Sequence, residues 1–213
     1  MTIKKMLAIS MSIIILVSLS FLGAADTMAV WESSYKDENS AVEIIPPRND
    51  NIKYIVFMPV KNGLHLDSEV ADSADLDSFV AVGYTGLLDE ITFPDEYTIS
   101  LENTTITKPV TAIAAISAAQ YKTLPLYMDG TLYEGGEEAH FRNNLYVKKI
   151  VIPAMVTEIA STIFSGCTEL NTVIFNYSDT PINVGIMAFA NCDKLTTVTQ
   201  NGRVVSGEQT GLT

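Results

Sequence analysis

Very little in this sequence is equipped for catalysis. There are 2 cysteines, 2 histidines and 1 tryptophan among 213 residues. With so few imidazoles, and His65 far from His140, a zinc centre or a Ser-His-Asp arrangement has almost nothing to draw on. No Gly-x-Ser-x-Gly turn, phosphate-binding glycine loop or dinucleotide fingerprint occurs, so the common hydrolase, nucleotide-binding and dehydrogenase patterns are missing. Asp95 and Glu96 are adjacent acids, and adjacency does not set two carboxylates across a cleft as glycoside hydrolysis requires. The acidic run Asp67, Glu69, Asp72, Asp75 and Asp77 lacks the spacing of a helix-loop-helix calcium loop and reads as a solvated loop. No cofactor and no metal is expected.

Positive charge is scarce as well. Lys+Arg number 13 against 25 Asp+Glu, a net charge of −12. Such a chain repels polyanions, so DNA, RNA and anionic lipid surfaces are excluded as expected partners.

Long apolar runs are missing except at the start. Lys4 and Lys5 precede a stretch from Met6 to Leu22 broken only by serines, and Gly23, Ala24, Ala25, Thr27 and Ala29 follow. A basic segment, an apolar segment and small residues in that order read as an export signal over residues 1–29, with cleavage after Ala25 or Ala29. The competing reading, an uncleaved anchor, is disfavoured because the run falls a little short of the roughly 20 residues that span a bilayer. The mature protein is expected to be secreted or held at the cell surface, with no membrane insertion after signal removal.

What the chain does have is a repeat. Phe164 and Phe189, Cys167 and Cys192, and Leu170 and Leu195 are each 25 residues apart. The triplets Ile150-Val-Ile152 and Val173-Ile-Phe175 alternate apolar and outward positions, as a short half-buried strand does. A third copy has the same internal spacing. Phe141, Asn144, Val147 and Ile150 match Phe164, Cys167, Leu170 and Val173, which in turn match Phe189, Cys192, Leu195 and Val198. A weaker copy begins at Ile91-Thr-Phe-Pro94, and Val110-Thr-Ala-Ile113 is like Val156-Thr-Glu-Ile159. One such coil cannot bury its apolar face, whereas stacked coils share a continuous core. Pro153 ends the strand because it has no amide hydrogen for the ladder, and Gly166 or Asn191 supplies the tight turn after each phenylalanine.

The sequence Ile-x-Ile-Pro-x-x-Val-x-x-Ile, followed by x-x-x-Phe-x-x-Cys-x-x-Leu-x-x-Val, resembles the BspA-like branch of leucine-rich repeats over residues 141–198. The resemblance implies a right-handed leucine-rich repeat solenoid, rich in β-strand, with short helical or irregular return segments. Asn144 departs from the family pattern by standing where cysteine is expected, and the stretch Ala115–Tyr133 has no Phe-x-x-Cys. In that slot the pattern places cysteine as a small buried hydrophobe. Cys167 and Cys192 are therefore expected as free thiols in a ladder, with a coil-to-coil disulfide as the alternative.

The expected organisation is a signal peptide at 1–29, a β-rich N-terminal cap at 30–82, repeats at 83–200 and a polar tail at 201–213. In the cap, 52–60 and 79–84 read as strands and Asn62-Gly63 as a turn. Ala114–Glu138 reads as an irregular coil, and Tyr121, Tyr127, Tyr133 and Tyr146 as rings that seal irregular coils with their hydroxyls in water, with a recognition face as the alternative. The implied function is a non-catalytic, exported surface that binds another protein of host, matrix or envelope origin. The alternatives are a structural envelope protein without a specific ligand, and a hydrolase using carboxylates in the cap or irregular coil.

Overall fold

The front-sheet strands are short because each repeat contributes only three or four alternating residues before proline or a turn stops it. The structure is a computed structural model that describes residues 52–134 and 139–212. The signal peptide and the first part of the cap read from the sequence lie outside the described residues. In chain order the strands are β1 (Ile55–Lys61), β2 (Leu64–His65), β3 (Ser78–Tyr84), β4 (Glu90–Thr92), β5 (Glu96–Ser100) and β6 (Thr105–Ile113). Helix α1 (Ala118–Thr123) follows, then β7 (Tyr127–Met128), β8 (Thr131–Leu132), β9 (Lys149–Ile152) and β10 (Glu158–Ile159). The last four strands are β11 (Thr172–Phe175), β12 (Ile182–Val184), β13 (Thr197–Thr199) and β14 (Val205–Ser206).

Two parallel ladders run along the stack. The front sheet has the order β13-β11-β9-β4. Its register places Ile91 beside Ile150, Ile150 beside Val173 and Val173 beside Val198. The return ladder joins β6, β10, β12 and β14, with Ile113, Ile159 and Val184 in one row. Four coils result, at 90–148, 149–171, 172–196 and 197–212. Between the ladders lies a column of rings. Phe93 stands 5.4 Å from Phe141, Phe141 5.5 Å from Phe164, and Phe164 stacks on Phe189 at 5.1 Å.

The first coil follows the faint copy that starts at Ile91. Its strand register carries Phe93 and Pro94 to the level of Ile152 and Pro153, and Val110 to that of Val156. Where the second coil spends only Ala154 and Met155, however, the first inserts the β5–β6 hairpin. Tyr97 on that hairpin stacks on Phe57 at 3.9 Å and meets Phe79 edge-on at 5.0 Å. The insertion therefore belongs to the same core as the strands that precede the repeats.

The stretch 114–138, expected to be an irregular coil, instead carries helix α1 and the β7–β8 hairpin. Ser117 and Gln120 form a reciprocal capping box at the helix start. Tyr127 pairs with Phe57 of β1. Together α1, residues 124–133 and Ala139 cover the outer face of β1 and β3, whose inner face lies on the solenoid core. Burial on both faces explains why these two strands are continuously apolar rather than alternating. Two of the four tyrosines correct the sequence reading in the same way, whereas Tyr146 is exposed. Tyr121 is buried and donates to the Val82 carbonyl oxygen at 2.8 Å, and the buried Tyr127 hydroxyl accepts from the Val70 amide at 3.4 Å. Their hydroxyls bond to the backbone because both rings are buried, Tyr121 in the outer layer and Tyr127 in the solenoid core.

The segment 201–213 is expected to be a polar tail, but residues 201–212 close the fourth coil instead. It carries β14, and Leu212 packs on the core. Arg203 ties it in place. Its side chain is almost wholly buried and donates from Nε to Thr180 O (3.1 Å), from Nη1 to Pro153 O (2.8 Å) and from Nη2 to Val156 O. A planar guanidinium can satisfy three carbonyls at once in a way that no apolar residue can.

Candidate binding surface

The residues found by the repeat rule line the inside of the stack. Phe141, Val147, Ile150, Phe164, Cys167, Leu170, Val173, Phe189 and Cys192 are buried, while Leu195 at the end of the third coil and Val198 in the fourth are partly buried. Asn144 occupies the cysteine slot of the first coil, and its Oδ1 accepts from the Tyr146 and Val147 amides at 2.9 and 3.0 Å. The side-chain oxygen thereby does the turn-closing work that a thiol cannot.

Cys167 and Cys192 sit at equivalent places in neighbouring coils, both as buried free thiols. Each donates one coil back, Cys167 to Phe141 O at 3.2 Å and Cys192 to Phe164 O at 3.3 Å. The hydrogen bond with Cys192 and burial push the Cys167 thiol up, away from the thiolate that a nucleophile requires. His140 meets Tyr121 edge-on at 6.1 Å, and His65 makes only an exposed 3.3 Å pair with Asp67. The described residues hold no group of three or more His, Cys, Asp or Glu placed to bind a metal.

The acidic run 67–77 turns out to be structural in part. Asp72 caps a short 3-10 turn by accepting from the Ala74 amide at 2.6 Å, and Asp75 accepts from the amides of Ala71 and Asp72. Asp77 accepts from the Asn62 amide at 2.6 Å, fixing the turn that Asn62 and Gly63 form at positive φ.

The outward side chains lie on the front sheet, where the strand period sends every second residue to solvent. One row runs Glu90, Lys149, Thr172, Thr197, and the next runs Thr92, Val151, Ile174, Thr199. Lys149 pairs with Glu90 at 3.2 Å, and Lys194 with Glu169 at 2.7 Å beside the sheet. These pairs, the first of them half-buried, offset each other's charge. Val151 and Ile174, both half-buried, remain as an apolar centre with threonines around it. Open clefts also occur among the described residues. One of about 360 Å³ lies between Val82, Ala115, Ile116 and Arg142, Thr162, Ile163. Another of about 320 Å³ is lined by Asp67, Glu69, Lys122, Leu124, Tyr133 and Glu134.

Sequence reasoning missed Arg203, because an arginine after Asn-Gly carries no sign that it will be swallowed by the stack. It also missed the outward pair Val151 and Ile174, although strict alternation in β9 and β11 would have picked them out.

No curated protein matches this chain. Among solved structures, a leucine rich cell surface protein from Faecalibacterium prausnitzii A2-165 is similar over 62% of this chain and 28% of its own, with 23% identity and a TM-score of 0.40. The T. pallidum leucine rich repeat protein is similar over 58% of this chain and 42% of its own, with 18% identity and a TM-score of 0.37. The chain thus spans well under half the length of the first of these structures. No helix among the described residues is long and apolar enough to cross a membrane. The family model described as BspA type leucine rich repeat region (6 copies) matches residues 137–210. Strands β9 to β14 of the ladders and Phe141, Phe164 and Phe189 of the column fall within this matched region, so residues 137–210 are similar to a BspA-type leucine-rich repeat region in both sequence and fold.

Proposed function

We propose that this protein is an exported, non-catalytic scaffold that binds another protein through the outer face of its front sheet. Leucine-rich repeats serve as protein-interaction scaffolds, because stacked coils set side chains from several repeats on one surface. The observation that carries the reading is the outward row Thr92, Val151, Ile174, Thr199. It places two apolar side chains side by side, in register, at the middle of a parallel sheet. A protein interface of ordinary kind has such an apolar centre with a polar rim. The leader at 1–29 supports export, and the net charge of −12 speaks against a polyanionic partner.

The test is capture from solubilised cell-surface and extracellular-matrix proteins, using the full chain and the double variant Val151→Asp/Ile174→Asp. Both substitutions fall on outward positions, so circular dichroism should show the same fold. Saturable binding by the parent that drops by at least about tenfold in the variant is the expected result, since burying two unpaired carboxylates at an interface costs more than about 1.4 kcal/mol. Equal binding by both chains would move the interface elsewhere, and no saturable binding would sink the scaffold reading.

A further inference from the structure

The geometry points to Cys167 and Cys192 as a redox-responsive pair that closes into one coil-to-coil disulfide when the folded protein meets a low-molecular-weight disulfide oxidant. Four observations carry it. First, the two residues occupy the same slot of successive coils, 25 residues apart, each three positions after its phenylalanine. Second, the turns that hold them are pinned side by side. Phe164 N donates to Ala188 O and Gly166 N to Ala190 O, both at 2.8 Å. Neighbouring chains held in this way run about 4.8 Å apart, inside the roughly 4.4–6.8 Å Cα separation that a disulfide spans. Third, the Cys192 thiol already points back to the second coil, where it donates to Phe164 O at 3.3 Å, and Cys167 lies on that same coil. Fourth, both groups are free thiols, and no other cysteine in the chain competes for either of them.

The chemistry runs in two exchanges. Cys167 is fully buried while Cys192 retains 8% exposure, so Cys192 is the sulfur that meets the oxidant. Its thiolate attacks the small disulfide, forms a mixed disulfide and releases one small thiol. The mixed disulfide removes the Cys192 thiol whose hydrogen bond held Cys167 protonated; the Cys167 sulfur then attacks the Cys192 sulfur, passes its proton to the departing small thiolate, forms the Sγ–Sγ bond and releases the second small thiol. The protein loses two electrons and two protons, and the oxidant takes up both. The pair sits inside the stack and the proposed binding face outside it, so the inference stands apart from any partner. Only its use by the cell rests on export to an oxidising compartment.

The experiment treats the folded full chain with oxidised glutathione, quenches with acid, then denatures and alkylates. Intact mass and peptide mapping should show a loss of about 2 Da, no alkylated cysteine, and one peptide joining 167 to 192. Thermal melting of the oxidised monomer should rise by several degrees, because the closed loop restricts the unfolded chain. The Cys192→Ala variant should take up no glutathione, since Cys167 is inaccessible. Three outcomes would overturn the proposal: two alkylatable thiols in protein that circular dichroism shows to be folded, glutathione retained on Cys192 without resolution by Cys167, or a disulfide between two chains.

Discussion

At Gly166 the backbone sits at φ +77°, in the left-handed region that L side chains rarely adopt. The same turn position is held by Asn143 at +56° and Asn191 at +57° in the neighbouring coils, so the conformation belongs to the repeat and not to one residue. Asparagine tolerates it by local hydrogen bonding, but at 166 there is a second constraint. A Cβ there would run into the Asn143 side-chain oxygen. Gly166→Ala is expected to cost about 1–3 kcal/mol, and hence several degrees of melting temperature, from strain plus overpacking. Adding Asn143→Ala should relieve only the overpacking, so a double variant as unstable as the single one would place the whole cost in the backbone. Tyr97 gives a different test. Burial pushes its phenol up to about 12, against the opposing amide hydrogen bond from Gly130 at 2.7 Å. The neutral form is therefore the one the fold prefers. The stability it confers is complete below the unfolded value near pH 10 and is lost as pH rises through about 12, by roughly 2–3 kcal/mol. Alkaline melting curves should show that loss, and Tyr97→Phe should flatten it. A variant curve parallel to the parent's would mean that other groups govern the alkaline limit.

A single element, the column of rings, does most to hold coil to coil. Phe164 touches Phe93, Phe141 and Phe189, whereas Phe189 lies near the end of the column and stacks on Phe164. Phe164→Ala should cost about 3–5 kcal/mol, and Phe164→Leu appreciably less, as read by chemical denaturation. A Phe164→Ala chain as stable as the parent would mean that the coils collapse to fill the space. This element was legible in the sequence because equal spacing of an uncommon residue survives translation into any stack. The faint copy at Ile91-Thr-Phe-Pro94 was legible too, since alternation followed by proline is a local signal. The β5–β6 hairpin and helix α1 were not legible as parts of the core. Tyr97 and Tyr121 take their places from Phe57 and Val82, distant in sequence, and no period within the insertion records that contact. The acidic run misled less than it first suggests. Asp72, Asp75 and Asp77 are caps and turn anchors, a role that charge counting does not separate from solvation. For the binding face, alternation in β9 and β11 marks which side chains point outward. Which of them matter depends on the register of four strands together, and that register exists only once the stack is formed.

Across the whole molecule the two ends of the stack differ. At the first coil the return sheet continues through β3, β1, β7 and β8. At the fourth coil β13 pairs only with β11, β14 pairs only with β12, and Val198 and Val205 are only partly buried. A coil with one neighbour has half the contacts of an inner coil, so local opening should start there. Arg203 opposes that opening, because its guanidinium reaches past the third coil to the Pro153 and Val156 carbonyls of the second. Arg203→Met keeps much of the volume but leaves those carbonyls and that of Thr180 without their donor, at a cost of about 2–5 kcal/mol. Arg203→Lys should recover only part of this, since one ammonium lacks the planar fork. Amide exchange can show where the cost falls. The amides of Met187 and Phe189 donate to Gln209 and Thr210 of the last coil, while those of Phe164 and Gly166 donate to Ala188 and Ala190 of the third. In Arg203→Met the first pair should exchange at least about tenfold faster than in the parent, with little change in the second. Equal acceleration of all four would mean that the stack opens as one cooperative unit, and that Arg203 stabilises the whole molecule and not its open end.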